Sequence, residues 1–376
     1  MTQSPSSSRR EFVKQAALGT AAFAAANPAI STPGRAATPP TRSRQSMRIG
    51  VRMNAHWFNS KSDEDLLFIK QIGADYVDID LRLIDSYKED GTFSKAELQD
   101  YIQRLNGAGL RIERANSRAP YYLNALMNRS EGQKEIDKLR HVCELLSEAE
   151  IPVFGIQSFG SAHVVDEPRV GWANQLGRGG YESFNFDVAR SKSRPLRPHY
   201  RVTADQLWQG LVNIYRQVIP TLEGSKTVLA MHGNDPPLYQ YLGNPQIICR
   251  FADFDRLFQE VPSKHSGITF CVGTRYESGE NVFEGIRHFA QQKKLFHVHF
   301  RNVQGTLPAN HGYSEVFHDE GDLDMAQVLR TLHEVGYDGV IDYDHAMRIT
   351  GDGLIPKQYT AFAVGYMRGL LQSLPD

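Results

Sequence analysis

From Met47 to the end of the chain, short runs rich in Val, Ile and aromatic residues alternate with amphipathic helical stretches, and the alternation repeats eight times. The runs are MRIGVRM (47–53), DYVDIDL (75–81), LRIERAN (110–116), PVFGIQS (152–158), TVLAMHG (227–233), GITFCVG (267–273), LFHVHFRN (295–302) and GVIDYDH (339–345). Apolar stretches of this length behind Gly or Pro are the pattern of buried parallel strands. Between them, DEDLLFIKQIG, SKAELQDYIQRLNGAG and DLDMAQVLRTLHEVG space apolar residues three and four apart and end at Gly, as helices do. A last helix, QYTAFAVGYMRGLLQS, closes the series. Eight strand–helix units in a row predict an α/β fold, the (β/α)8 TIM barrel. A doubly wound open sheet is the alternative, but it does not naturally supply eight even repeats.

Two stretches stand outside the rhythm. Residues 159–202, between the fourth strand and its helix, are rich in Gly, Arg and aromatics without clear periodicity. On a barrel this β4–α4 loop emerges at the C-terminal face of the strands, where a lid or substrate-binding loop belongs. The other stretch is residues 1–45. Arg9 and Arg10 sit in SRREFVK, an apolar small-residue run follows over 15–26, and then comes AANPAISTPGRAATPP. That order predicts a twin-arginine signal peptide and flexible linker, cleaved after Ala26 or near Ala37, and hence a periplasmic protein. The apolar run is too short to span a bilayer and no Cys follows it, so no membrane anchor is expected after cleavage. Residues 46–376 then form a single catalytic domain.

The 42 Lys and Arg are balanced by 43 Asp and Glu, for a net charge of −1. Such a balance gives no reason to expect nucleic acid or an anionic membrane as partner. Three cysteines, Cys143, Cys249 and Cys271, are too few for a disulfide framework. Nothing in the sequence argues against a homo-oligomer.

Position then singles out four residues. Each of strands five to eight carries a metal-binding side chain toward its C-terminal end: His232, Cys271, His299 and Asp344. Neighbouring strand ends converge around a barrel axis, so the four can meet at one point. Imidazole, thiolate and carboxylate together suit a divalent transition metal. Singly, each has a plainer reading as a core His, a small buried Cys or an ion-paired Asp. Four in the same relative place on consecutive strands are harder to set aside. His297 shares the strand parity of His299 and competes with it; His299, nearer the strand's end, is the expected ligand.

The same segments carry a family resemblance. HGNDPP (232–237) resembles the HPDDPP signature of mannonate dehydratases, FCVGT (270–274) that family's Cys-x-Gly-Ser/Thr, and HFRNV (299–303) its HLRNV. EVFHDEGDLDM (315–325) matches its Glu-x-x-His-x-x-Gly-Asp-x-Asp-Met pattern, and DHA (344–346) stands where the family has Asp-His-Gly. The resemblance is weak over the first half and dense from about residue 227 onward. It implies a barrel that binds Mn2+ or Fe2+ and removes water from a small-molecule sugar acid. The expected reaction is D-mannonate, or a related hexonate, to 2-keto-3-deoxy-D-gluconate. The implied metal ligands are the four already named, although the donor set would also accept Zn2+. The implied acid/base pair falls on His345 and Tyr359. For substrate contacts the expectations are Arg301 and Asn302, Glu315 and His318 in the matched seventh loop, Arg52, His56 and Trp57 after strand one, and Arg178 and Tyr181 in the long loop.

The chain also departs from the family. Gly233 and Asn234 replace a Pro-Asp, Ala115 and Asn116 replace a Glu-Ser after strand three, and FGIQSFG replaces a Tyr-Asn-Phe-Met segment after strand four. Ligands are kept while loops of the first half differ, the pattern a changed substrate would produce. Two other readings use the same barrel: a metal-dependent epimerase, isomerase or β-eliminating lyase, and a non-catalytic periplasmic binding protein.

Overall fold

A computed structural model describes residues 47–375 apart from 57, 161–169 and 192–197. Residues 1–45, where a signal peptide is expected, and Trp57 lie outside the described residues. Eight parallel strands close into a barrel: β1 Arg48–Met53, β2 Tyr76–Asp80, β3 Arg111–Asn116, β4 Val153–Gln157, β5 Val228–His232, β6 Ser266–Cys271, β7 Leu295–His299 and β8 Val340–Asp342. The first strand pairs with both neighbours, Val51 with Val77 and Ile49 with Ile341, which closes the ring. All eight predicted runs are strands. The last two are shorter than expected, so residues 300–302 and 343–345 belong to the loops at the barrel mouth.

The outer helices follow from their local signals. They are α1 Asp63–Gln71, α2 Lys95–Gly107, α3 Gly132–Glu148, α4 Ala204–Val218, α5 Phe251–Glu260, α6 Val282–Gln291, α7 Met325–Glu334 and α8 Lys357–Gln372. Ser62 caps α1 by accepting from the Asp65 amide, while Ser94–Glu97 and Thr203–Gln206 form reciprocal capping boxes on α2 and α4. Just past α1 and α2 the chain turns through Gly73 (φ 82°) and Gly109 (φ 76°), a left-handed conformation that side chains disfavour. Among the described residues, no helix is long and apolar enough to cross a membrane.

The long loop after β4 is more ordered than its sequence suggests. Trp172–Leu176 and Glu182–Asp187 form an antiparallel hairpin, with Asn174 opposite Phe184, turning through Gly177–Gly180. Its second strand pairs with Gly312–Glu315, Tyr313 opposite Phe186, and that segment pairs with Val303–Gln304. A four-stranded sheet thus ties the hairpin to the loop after β7. The aromatic rings of Trp172, Phe186 and Tyr313 pack behind it with centroids 5.3–5.5 Å apart.

Candidate active site

Parallel register delivers the four expected donors to one level. His232, Cys271 and His299 are the last residues of β5, β6 and β7, and Cys271 stands opposite His299. Asp344 lies two residues beyond the end of β8 rather than on the strand. It adopts φ 59°, and its amide donates to Asp342 Oδ1 at 2.8 Å, which turns the carboxylate back over the barrel mouth. The four side chains are buried, and each offers one donor atom within 4.8 Å of the others. Asp344 lies 3.5 Å from Cys271 Sγ and 3.3 Å from His299 Nδ1, and the two imidazoles stand 5.1 Å apart.

The hydrogen bonds around these donors are unfinished. His232 Nδ1 is 2.7 Å from the Gly233 carbonyl, which fixes the tautomer that leaves a lone pair on Nε2. Among the described residues neither ring nitrogen of His299 has a hydrogen-bond partner, while Asp344 Oδ1 meets the Arg52 guanidinium. Burial pushes the His232 imidazole down to about 3 and His299 well below its ordinary value, so both rings are neutral. Cys271 Sγ accepts from the Thr274 hydroxyl at 3.0 Å and from Arg301 at 3.5 Å. Buried donors are normally satisfied, so neutral imidazoles with spare lone pairs beside a carboxylate and a thiol fit a divalent cation.

A second cluster lies one layer deeper, with Asp78, His297 and Asp342 around the same His299. Its carboxylates are already engaged: Asp78 receives Arg114 at 2.6 Å, and Asp342 receives His297 at 2.8 Å as well as the Asp344 amide. His297 therefore supports the site from below, and His299 is the member shared with the open layer.

Above the cluster opens a cavity of about 520 Å³, within the ordinary range for a small-molecule site. His345 stands on its wall, with Nδ1 2.8 Å from the buried Glu315 Oε1 and Nε2 3.7 Å from Asp344 Oδ1. Burial opposes the Glu315 charge, but His345 and Arg301 hold its carboxyl below the ordinary value. Arg52 and His56 also line the cavity, and Arg52 is in ion-pair contact with Asp344. A larger, more open hollow of about 610 Å³ lies on the outer ring at Asp255, Lys264 and His288, remote from the strand ends.

Other expected residues are placed elsewhere. Arg301 is fully buried, and its guanidinium serves Asp344 (3.1 Å), Glu277 (2.7 Å) and Asp235 (3.1 Å). A Cβ at Gly273 would meet it at 2.9 Å, which explains the small residue of the Cys-x-Gly motif. Asn302 bonds the backbone of His318 and Leu323 and so shapes the loop. Tyr359 is buried behind the wall, its hydroxyl 3.3 Å from His318 Nδ1, and burial drives the phenol well above its ordinary value. Arg178 is exposed and paired with Asp319 at 2.8 Å, while Tyr181 is buried against Phe317.

Several cavity residues were not singled out from sequence. Asp235, inside the quoted HGNDPP string, receives the Tyr313 hydroxyl at 2.7 Å. Trp172 and Phe184 come from the hairpin, whose period-two alternation around GRGG was the available signal. Arg118 follows β3 with no motif to mark it.

Comparison with known proteins agrees with this arrangement. Mannonate dehydratase from Thermotoga maritima is 33% identical over 179 residues, covering 46% of this chain and 49% of that one. Over that match the chain spans about half the length of the curated relative. Mannonate dehydratase 2 from Halalkalibacterium halodurans is 24% identical over 352 residues, covering 86% of this chain and 99% of the relative. The solved mannonate dehydratase from Streptococcus suis serotype 2 superposes with a TM-score of 0.72 at 22% identity, over 88% of this chain and 96% of that one, a likeness of fold. The model of the D-mannonate dehydratase (UxuA) family matches residues 179–376, more than half the chain and the whole of the cluster-bearing part. A barrel whose last four strands carry the donor cluster, read together with that match, belongs to the D-mannonate dehydratase family.

Proposed function

We propose that this chain is a metal-dependent dehydratase that converts a sugar acid, D-mannonate or a closely related hexonate, to the 2-keto-3-deoxy acid and water. The observation that carries the reading is the placement of His345. Its ring faces the cavity beside the four-donor cluster and is held from behind by a buried carboxylate. A divalent cation held by His232, Cys271, His299 and Asp344, for which Mn2+ and Fe2+ are the proposed candidates, would supply Lewis-acid polarisation of the carboxylate and neighbouring hydroxyl.

The chain's own groups account for the proton movements. His345 takes the C2 proton, and Glu315 fixes the ring and stabilises the imidazolium that results. The C3 hydroxyl departs as water once protonated, and the enol left behind tautomerises to the ketone. The imidazolium formed on His345 is the proposed donor of that proton, because Tyr359 is buried behind the wall with its hydroxyl on His318. Arg301, with its acidic partners, holds Asp344 and Glu315 in place rather than binding substrate. We further propose, on Arg9, Arg10 and the apolar run after them, that the folded enzyme is exported to the periplasm. An antibody blot of periplasmic and cytoplasmic fractions, with Arg9 and Arg10 changed to Lys as control, tests that route.

The catalytic test uses protein loaded with Mn2+, a panel of hexonates including D-mannonate, and mass spectrometry of the products. One panel member should lose one water, a chelator should stop the loss, and His345→Ala should slow it roughly 10²–10⁴-fold with metal still bound. Tyr359→Phe, behind the cavity wall, should change the rate far less. A product of unchanged mass would point instead to an epimerase or isomerase.

A further inference from the structure

The wall of the cavity built by β1–β4 carries a cluster of cations that the dehydration step does not use. Asp80, at the end of β2, is shared by two arginines. Arg82 binds it through Nε at 2.9 Å and Nη2 at 2.6 Å, and Arg118 binds it through Nε at 2.8 Å. Burial works against the Asp80 charge, yet the hydrogen bonds and charges of the two guanidiniums hold its carboxyl down to about 2. One carboxylate therefore balances two permanent cations, and a positive charge is left over beside the cavity.

The surplus sits on Arg118. It lines the cavity, and its two terminal NH2 groups make no hydrogen bond or ion pair among the described residues. Burial, and behind it the charges of Arg82 and Arg52, pull its pKa below the ordinary value despite Asp80. A cation in that position gains from an incoming anion. Two neighbours on the same wall are also unfinished: Gln157 Oε1 and the Ser158 hydroxyl are buried with no hydrogen-bond partner among the described residues. Buried polar atoms facing a cavity and left unpaired are unusual unless a ligand completes them. Arg118, Gln157 and Ser158 all lie in or beside stretches where this chain departs from the mannonate dehydratase pattern, after β3 and after β4.

We propose that Arg118, with Gln157 and Ser158 beside it, forms a subsite for a second anionic group on the substrate, a carboxylate or sulfate ester at the end remote from the reacting carbons. The substrate class is then a sugar acid with two negative charges, such as a hexarate or a sulfated hexonate. The proposal rests on the dehydratase reading only for the orientation of the substrate's other end. A planar guanidinium offering two parallel N–H donors matches a carboxylate or sulfate geometrically, and a neutral hydroxymethyl group would leave it unpaired.

The test is binding measured apart from turnover. Metal-loaded protein carrying His345→Ala is titrated calorimetrically with a hexonate, the hexarate of the same stereochemistry, and the 6-O-sulfated hexonate. At least one dianion should bind roughly tenfold or more tighter than the hexonate, as a charge-assisted hydrogen-bond pair would give. With Arg118→Gln added the preference should collapse to less than about threefold, and with Arg118→Lys it should return in part, which loss of the Asp80 contact alone would not produce. Preference for only one dianion distinguishes carboxylate from sulfate. Equal affinity for hexonate and both dianions, no binding of either dianion, or a preference that survives Arg118→Gln overturns the subsite. If the parent enzyme removes water from nothing while the preference holds, the dehydratase reading fails and the anion subsite stands.

Discussion

The two halves of the barrel differ in the donors they leave open: guanidinium and neutral polar groups in the first, imidazole nitrogens in the second. In β1–β4 the buried carboxylates are paired: Asp78 with Arg114 at 2.6 Å, Glu113 with Arg48 at 3.2 Å, and Asp80 with both Arg82 and Arg118. In β5–β8 the Asp344 carboxylate is also paired, with Arg52 and Arg301, but the His299 nitrogens have no hydrogen-bond partner among the described residues and the imidazoles are neutral. A paired carboxylate is a finished structural element, whereas a buried lone pair without a partner is one that waits for a cation. The second half thus holds the chemistry and the first half holds the shape and charge of the cavity wall. The family match, which begins at residue 179, follows the same division.

The largest effects should come from exchanging these roles. Asp344→Asn keeps the size of the side chain but removes the anionic donor of the cluster. Bound metal, measured by plasma mass spectrometry after dialysis, should be lost, and turnover should fall on the order of 10³-fold or more, about 4 kcal/mol of barrier. Full metal occupancy in this variant would sink the four-donor assignment and turn attention to the deeper cluster. In the first half the corresponding change is Asp78→Ala, which leaves the fully buried Arg114 without its carboxylate. Stranding a buried charge costs about 3–5 kcal/mol, so denaturant melts should show a loss of that size. A loss below about 1 kcal/mol would mean that Arg114 finds another partner and that the first half is less finished than it looks.

The division also explains what the sequence disclosed. Strand spacing and the position of His, Cys and Asp on consecutive strand ends were legible because a parallel barrel converts sequence order directly into spatial adjacency. Asp344 was found even though it lies past its strand, since its loop turns back by a backbone bond to Asp342 that sequence does not announce. Arg301 was expected to grip substrate. A sequence shows an arginine next to a ligand but not the three carboxylates that converge on it from other loops. The hairpin was missed because each strand is only five or six residues long and its partner, Gly312–Glu315, lies more than a hundred residues away. Arg118 was invisible for the same reason: its significance comes from Asp80, on a different strand.

Acid should separate the halves by a smaller margin. In metal-free protein His232 has a folded-state pKa of about 3 and that of His299 is also depressed, against roughly 6.5 in the unfolded chain. Above pH ~6.5 both states carry neutral rings and the linkage vanishes. As pH falls from there toward 3, the unfolded chain takes up protons that the folded one refuses, so stability drops. The Tm of stripped protein should therefore fall by several degrees between pH 7.5 and 5, and His232→Asn should shrink the fall. An equal fall in that variant would place the acid-sensitive groups elsewhere.

The smallest expected effect concerns the piece that joins the halves. The hairpin after β4 brings Trp172 and Phe184 to the cavity, and strand pairing already fastens it to the loop after β7. Arg178 at its turn adds an ion pair to Asp319, with both side chains partly or largely exposed. Exposed pairs contribute only about 0.2–1 kcal/mol, so Arg178→Ala should barely move the melting temperature. Because the backbone ladder holds the aromatic side chains regardless, KM should rise no more than about threefold, with kcat unchanged. A KM increase of tenfold or more, with the fold still intact, would show that the hairpin opens and closes about this contact. Recognition would then belong to a moving cover as well as to the fixed wall of β1–β4.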